Sequence, residues 1–216
     1  MITALALALS FAAAPPPHPL EQPVARMQEL YEKAKDLRAR FSQTYVSPAL
    51  HKTLHSSGTL LWKRPGMLRF DYDAPEPKSF VVSGDRFTSY VPDAQQAMEG
   101  SFKSAELSAS VAFLFGQGRL EREFSVGTPD RTDLAEGIRL ELVPKRPDPR
   151  LKRIYFVLDP RSWAVRESLV VDGAGDENRF DFTEIRTNTG IEARAFTLTL
   201  PPGTEVVRSA PEGGAK

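Results

Sequence analysis

Between Gly58 and Tyr72 the chain reads GTLLWKRPGMLRFDY, and its apolar positions form two runs on either side of Lys63-Arg64-Pro65-Gly66. Side chains two apart in a strand point the same way. Leu60 and Trp62 therefore share a face of the first run, and Leu68, Phe70 and Tyr72 share a face of the second. Pro-Gly is a strong turn signal, so the pattern predicts a hairpin that carries Arg64 at its tip, between two apolar walls.

The same alternation recurs along the chain in FSQTYV, SFVV, RFTSYV, REFSV, IRLELV, RIYFVL, AVRESLVV, RFDFTEI and FTLTL. Short strands at regular spacing predict an antiparallel sheet. Ser83-Gly84-Asp85 and Asp172-Gly173-Ala174-Gly175 read as hairpin loops, with Gly where positive φ costs little. Two stretches break the period. From Leu20 to Phe41, the residues Val24, Met27, Tyr31, Ala34, Leu37 and Phe41 recur at steps of three and four, which predicts an amphipathic helix. From Ser104 to Gly116 (SAELSASVAFLFG), a Ser cap, an early acid and a Gly stop surround Leu107, Val111 and Leu114, predicting a short apolar helix. A curved antiparallel sheet must hide its concave face, and these two helices are the natural plug. Periodicity by itself does not separate a barrel from a sandwich.

The chain has 216 residues, 41% of them hydrophobic. That suits one domain, since all-β domains commonly run to about 200–250 residues. Lys plus Arg and Asp plus Glu each total 28, and no basic block is present. Nucleic-acid binding therefore has no electrostatic footprint. Cysteine is absent, which excludes disulfides, thiolate metal sites, a cysteine nucleophile and a lipid-modified cysteine. Met1 to Ala14 is an apolar run that ends on Ala12-Ala13-Ala14, with the length of an export signal and too short for a membrane span; it lacks the usual leading Lys or Arg. The expected organisation is a cleaved signal over 1–14, a Pro-rich linker over 15–19, a single domain over 20–208 and a flexible tail over 209–216.

Candidate chemistry is sparse. His51 and His55 have the spacing of two ligands on one helix face, but they sit beside Ser56-Ser57-Gly58 in a strand or loop region, without a neighbouring Glu or a third ligand. Asp71 and Asp73 alternate with Phe70 and Tyr72, so they are expected to face solvent and not to form a two-carboxylate site. No G-x-S-x-G elbow, phosphate-cradling Gly loop or His-supported Ser is present. No catalytic residue, metal or cofactor is expected. Arg64, from the residues alone, reads as a solvated turn cation.

The order G-x-L-x-x-K-R-P-G-x-x-R-F from Gly58 to Phe70, then Ser83-Gly84-Asp85, then Tyr90-x-Pro92-x-x-x-Gln96 closely resembles the LolA family of periplasmic lipoprotein carriers. The resemblance extends through DGAGDENRFDFTEI to AFTLTLPPGTEVV, which looks like that family's closing strand and its Phe-x-x-x-x-Pro-x-Gly-x-x-Val ending. It implies an unclosed β-barrel under a helical lid. Leu60, Trp62, Leu68, Phe70, Tyr72, Val111 and Leu114 would line an acyl-chain cavity, with Phe70 standing where the family often has Trp. Arg64 would be the lid latch, directed into the barrel mouth to bond lid backbone, near Ser104 to Phe115. The implied function is that of a periplasmic carrier, not an enzyme. It would take acylated lipoproteins from an inner-membrane ABC-type releasing complex to an outer-membrane acceptor or the outer membrane itself, as a monomer. Two alternatives remain: a lipid-binding or lipoprotein-sensing regulator of the same fold, and a secreted hydrolase with an unrecognised site.

Overall fold

The computed structural model describes residues 19–101, 120–149 and 151–208. Its frame is one twelve-stranded sheet in the order β12-β6-β5-β4-β3-β2-β1-β11-β10-β9-β8-β7, whose end strands β12 and β7 do not pair, so the barrel is unclosed. The two longest hairpin strands, β1 (Asp36–Ser47) and β2 (Lys52–Lys63), lie in its centre, flanked by β3 (Met67–Ala74) and β11 (Glu177–Thr187). From β2 to β6 each strand pairs antiparallel with the next: β4 (Lys78–Ser83), β5 (Arg86–Val91) and β6 (Gln96–Ser101). The other wing holds β7 (Phe124–Gly127), β8 (Ile138–Pro144), β9 (Arg153–Leu158) and β10 (Val165–Val171). Ser83 pairs with Arg86 across the β4–β5 hairpin, so Gly84 and Asp85 form its two-residue loop, and Gly84 has φ 60°. The Asp172–Gly175 segment closes β10 on β11 as expected, with Gly175 N–H donating to the Asp172 carbonyl.

Helix α1 (Glu21–Lys33) buries Val24, Met27 and Tyr31 in the main apolar cluster, which also contains Phe41, Leu60, Trp62, Leu68, Phe70, Phe156 and Phe180. The lid helix is therefore shorter than the Leu20–Phe41 run predicts. Leu37 and Phe41 are buried from β1, not from a helix. Leu37, Ala39 and Phe41 also fit period two, and β1 pairs with β2 on one side and β11 on the other, so its backbone is satisfied in the sheet while these three side chains stay on the buried face. A single helical turn, α2 (Leu120–Glu123), leads into β7. The predicted helix Ser104–Gly116, with Val111 and Leu114, lies outside the described residues.

The C-terminal segment departs from expectation. Thr197–Leu200 is not a strand: the chain after β11 makes a 3-10 turn at Ala193–Phe196, against β3 and β4. The last strand is instead β12 (Glu205–Arg208), which pairs parallel to β6 and is the one parallel pairing among the described strands. After leaving β11 at the centre of the sheet the segment runs back past β3 and β4, where Arg69 donates to the Ala195 carbonyl at 2.9 Å, and arrives beside the start of β6, where Glu205 N–H donates to the Gln95 carbonyl at 2.9 Å, so β12 runs parallel to β6. On the other wing, residues between β7 and β8 cover the outer face and bury Leu134 against Tyr155, Val157 and Leu169. Strand β9 is therefore covered on both faces, and its five residues Ile154–Leu158 are all buried. An ion network fastens this cover. Glu167, 1% exposed, accepts from Ala135 N–H at 2.7 Å and pairs with Arg179, whose guanidinium also bonds the Asp133 carbonyl at 2.9 Å.

Candidate functional site

Strands β2 and β3 place the five described candidates on one buried apolar surface. Leu60, Trp62, Leu68 and Phe70 are 6%, 3%, 1% and 7% exposed, all in the main cluster, and Tyr72 packs against it. Leu60 is opposite Phe70 and Trp62 opposite Leu68 in the ladder, so alternate residues of the two strands form one continuous patch. Phe41 of β1 extends it, with ring centroids 5.5 Å from Phe70, 5.1 Å from Tyr72 and 5.7 Å from Phe180. Phe180 in turn stacks on Phe182 at 5.9 Å, so aromatic rings run unbroken from β3 to β11. Gly58 makes room for this: a Cβ there would stand 2.8 Å from the Phe41 ring tip and 2.0 Å from the Asp71 carbonyl oxygen. This face is thus a sheet of rings that offers shape and apolar area, and the Tyr72 phenol on it is kept neutral by burial, which raises its pKa.

At the tip of the β2–β3 hairpin Arg64 is half-buried. Its backbone N–H donates to the Lys35 carbonyl at 3.0 Å, its guanidinium lies 5.6 Å from the Trp62 ring centroid, and Nη2 donates to the Tyr31 carbonyl at 2.9 Å. Carbonyls in the last turn of a helix lack intrahelical donors. Tyr31 lies in the last turn of α1, where a cation also complements the helix dipole. Arg64 Nε is buried without a hydrogen-bond partner. At its other end, the Tyr31 hydroxyl accepts from Val165 N–H at 3.0 Å, and burial pushes that phenol up to about 12. One residue of the lid thus ties α1 to the β2–β3 hairpin and to β10.

A family model described as "Outer membrane lipoprotein carrier protein LolA" matches residues 32–199, more than half of the chain. The chain belongs to the LolA family. Among similar curated proteins, the outer-membrane lipoprotein carrier protein of Azotobacter vinelandii is 27% identical, covering 96% of each chain. That of Dechloromonas aromatica is 28% identical over 85% of this chain and 86% of its own. An uncharacterised conserved protein from Thermus thermophilus, known by crystal structure, matches with a TM-score of 0.57 at 11% identity, over 89% of this chain and 100% of its own, which shows a shared fold.

The LolA-family signature from Gly58 to Phe70 thus occupies the β2–β3 hairpin and brings five of the seven predicted wall residues onto one surface; Val111 and Leu114 lie outside the described residues. Arg64 is not a solvated turn cation, and among the described residues the lid backbone it bonds is that of α1. Sequence reasoning missed Tyr31 as Arg64's acceptor and the aromatic contribution of Phe41, Phe180 and Phe182. The alternation in RFDFTEI signalled the last two, because Phe180 and Phe182 are two apart. His51 occupies the β1–β2 turn and His55 lies on β2, bonded to Thr44, so their helical spacing is not realised. Asp71 is paired with Arg69 at 2.7 Å and Asp73 with Arg40 at 2.7 Å, on the side of β3 opposite Phe70.

Proposed function

We propose that this protein is a periplasmic carrier that encloses the acyl chains of lipoproteins between α1 and the aromatic face of the sheet. No bond is made or broken. What carries the reading is the pairing of a continuous apolar concave face with a lid helix whose last-turn carbonyl is held by one arginine. Each methylene withdrawn from water contributes about 0.8 kcal/mol, so an acylated protein needs an enclosing partner to cross an aqueous space. Exchange of lid contacts for acyl contacts makes the surface available without leaving a large apolar patch exposed in the empty state. The apolar leader Met1–Ala14 would direct export and be removed. Among the described residues no helix is long and apolar enough to cross a membrane. Family membership and the names of the curated relatives support lipoprotein cargo. The donor in this reading is an inner-membrane ABC-type complex, and the recipient is an outer-membrane acceptor or the outer membrane itself.

The test is mass spectrometry of what co-purifies with the full chain from periplasm, together with transfer of a labelled lipoprotein from the purified protein to acceptor membranes. A triacylated lipoprotein as bound species, and its transfer, is the expected result. Free phospholipid alone, with no transfer, would replace carriage of lipoproteins with lipid binding.

A further inference from the structure

Arg38 of β1 and Arg186 of β11 are directly opposed in the central antiparallel ladder, and both are exposed on the outer face of the sheet. Opposed residues in such a pair have Cα atoms about 4.5–5.5 Å apart, and like charges facing one another destabilise the sheet. Neighbouring arginines on that face are neutralised: Arg40 by Asp73, Arg69 by Asp71, Arg131 by Asp133 and Glu177, and Arg179 by Glu167 and Asp133. Neither the Arg38 nor the Arg186 guanidinium has a hydrogen-bond or ion-pair partner among the described residues. The two line a groove of about 560 Å³ with Leu61, Ile191 and Ala195. Its wall is fixed by Asp36, which accepts from Thr189 N–H at 2.7 Å and from Gly190 N–H at 3.0 Å. Next to Arg38 the ladder bulges, and Glu184 takes φ 52° where two residues of β11 oppose Ala39. Bulges re-aim side chains and open a sheet surface locally.

We propose that this groove docks a carboxylate-bearing segment of a partner protein, with Arg38 and Arg186 as its two recognition groups. Two guanidinium forks side by side match carboxylate oxygens, and each can bind bidentately. The volume falls within the range of about 300–1,000 Å³ in which pockets enclose a bound group. The apolar Leu61, Ile191 and Ala195 suit a side chain flanking the acid. A bilayer surface fits less well, because polybasic membrane contact uses cations spread along an accessible face, whereas these two sit in a groove walled by the 189–195 segment. The groove is on the opposite side of the sheet from the aromatic wall, so the proposal does not rest on the carrier reading.

The experiment uses the full mature chain and a fluorescein-labelled oligoglutamate peptide, followed by fluorescence anisotropy. Inorganic phosphate and phosphatidylglycerol vesicles serve as separate arms. Wild type is expected to bind the peptide with an affinity that falls as salt rises. Arg38→Gln with Arg186→Gln should weaken it at least tenfold, a change equal to about 1.4 kcal/mol. The same charge removed at Lys52 and Arg161 should leave it unchanged. Glu184→Gln, which removes the carboxylate lining the groove, should strengthen binding about threefold. The Arg38/Arg186 double variant should also melt no lower than wild type, since an opposed like-charge pair is relieved; loss of binding together with a lower melting temperature would assign these arginines a structural role. The idea is overturned by absent peptide binding, by equal loss in the Lys52/Arg161 control, or by vesicles or phosphate competing away the peptide at lower concentration than unlabelled oligoglutamate does.

Discussion

The Arg64 guanidinium donates to the Tyr31 carbonyl at 2.9 Å, so the tip of the β2–β3 hairpin caps the C-terminal turn of the lid helix. A hydrogen bond from a charged donor contributes about 1.5–3 kcal/mol. That is comparable to the free-energy gap that decides whether a two-state protein stands open or closed.

Arg64→Leu removes this cap and adds apolar surface at the mouth. The closed state should lose about 1.4 kcal/mol or more, shifting the open-to-closed ratio about tenfold. Loading with a fluorescent acyl probe should be undiminished, while delivery of labelled lipoprotein to acceptor membranes slows. Lys should restore release only in part, because an ammonium lacks the planar fork. Wild-type delivery by the Leu variant at equal loading would remove Arg64 from the latch.

Tyr31→Phe leaves Val165 N–H without its acceptor in a buried setting, at a cost of about 1–3 kcal/mol in urea unfolding. The folded phenol is raised from 10.0 to about 12. A raised folded value means stability is full below the unfolded value and is lost as pH rises toward the folded one. The wild type should therefore lose stability between pH 10 and about 12, and the Phe variant should lose less over that window. Tyr72 is raised in the same direction by burial, so some alkaline slope remains in the variant.

Gly58→Val should be among the most damaging single changes in the sheet. A side chain there meets the Asp71 carbonyl oxygen at 2.0 Å and the Phe41 ring, and overpacking of this kind costs about 1–3 kcal/mol or more. Thermal melting and near-ultraviolet circular dichroism, which reports the ring cluster, would both register it; an unchanged aromatic spectrum would contradict the packing described.

Burial raises the Asp36 carboxyl, but hydrogen bonds from Thr189, Gly190 and Ile191 outweigh it and hold the group below the usual carboxylate range. A depressed folded value contributes stability that is present above the unfolded value of about 3.9 and is lost as pH falls through the folded one. Asp36→Asn should lower stability at neutral pH and flatten its fall below about pH 4. Hydrogen exchange should quicken at residues 188–191; equal acid slopes in the two proteins would show that the turn does not depend on this charge.

The alternation in Leu60-x-Trp62 and Leu68-x-Phe70-x-Tyr72 was enough to place these five residues on one face, because strand periodicity depends only on local backbone geometry. The hairpin tip at Arg64 and the two-residue loop at Gly84 were legible for the same reason, as turns are chosen by the residues that form them. The tertiary structure decided what local rules leave degenerate. Leu37 and Phe41 satisfy both a helical and a strand period, and only pairing with β2 and β11 made them strand. The Val206–Val207 strand could join either edge in either sense until the 188–204 segment crossed the outer face to β6. Arg64 needed a carbonyl, and any exposed helix end could supply one; the packing of α1 into the main apolar cluster made it Tyr31. Arg38 and Arg186 are separated by most of the chain, and their opposition exists only because β1 and β11 pair. Long-range pairing joins residues whose sequence neighbours carry no trace of the contact, and this is why the apolar face of the hairpin could be read from the chain while Arg64's acceptor and the outer groove could not.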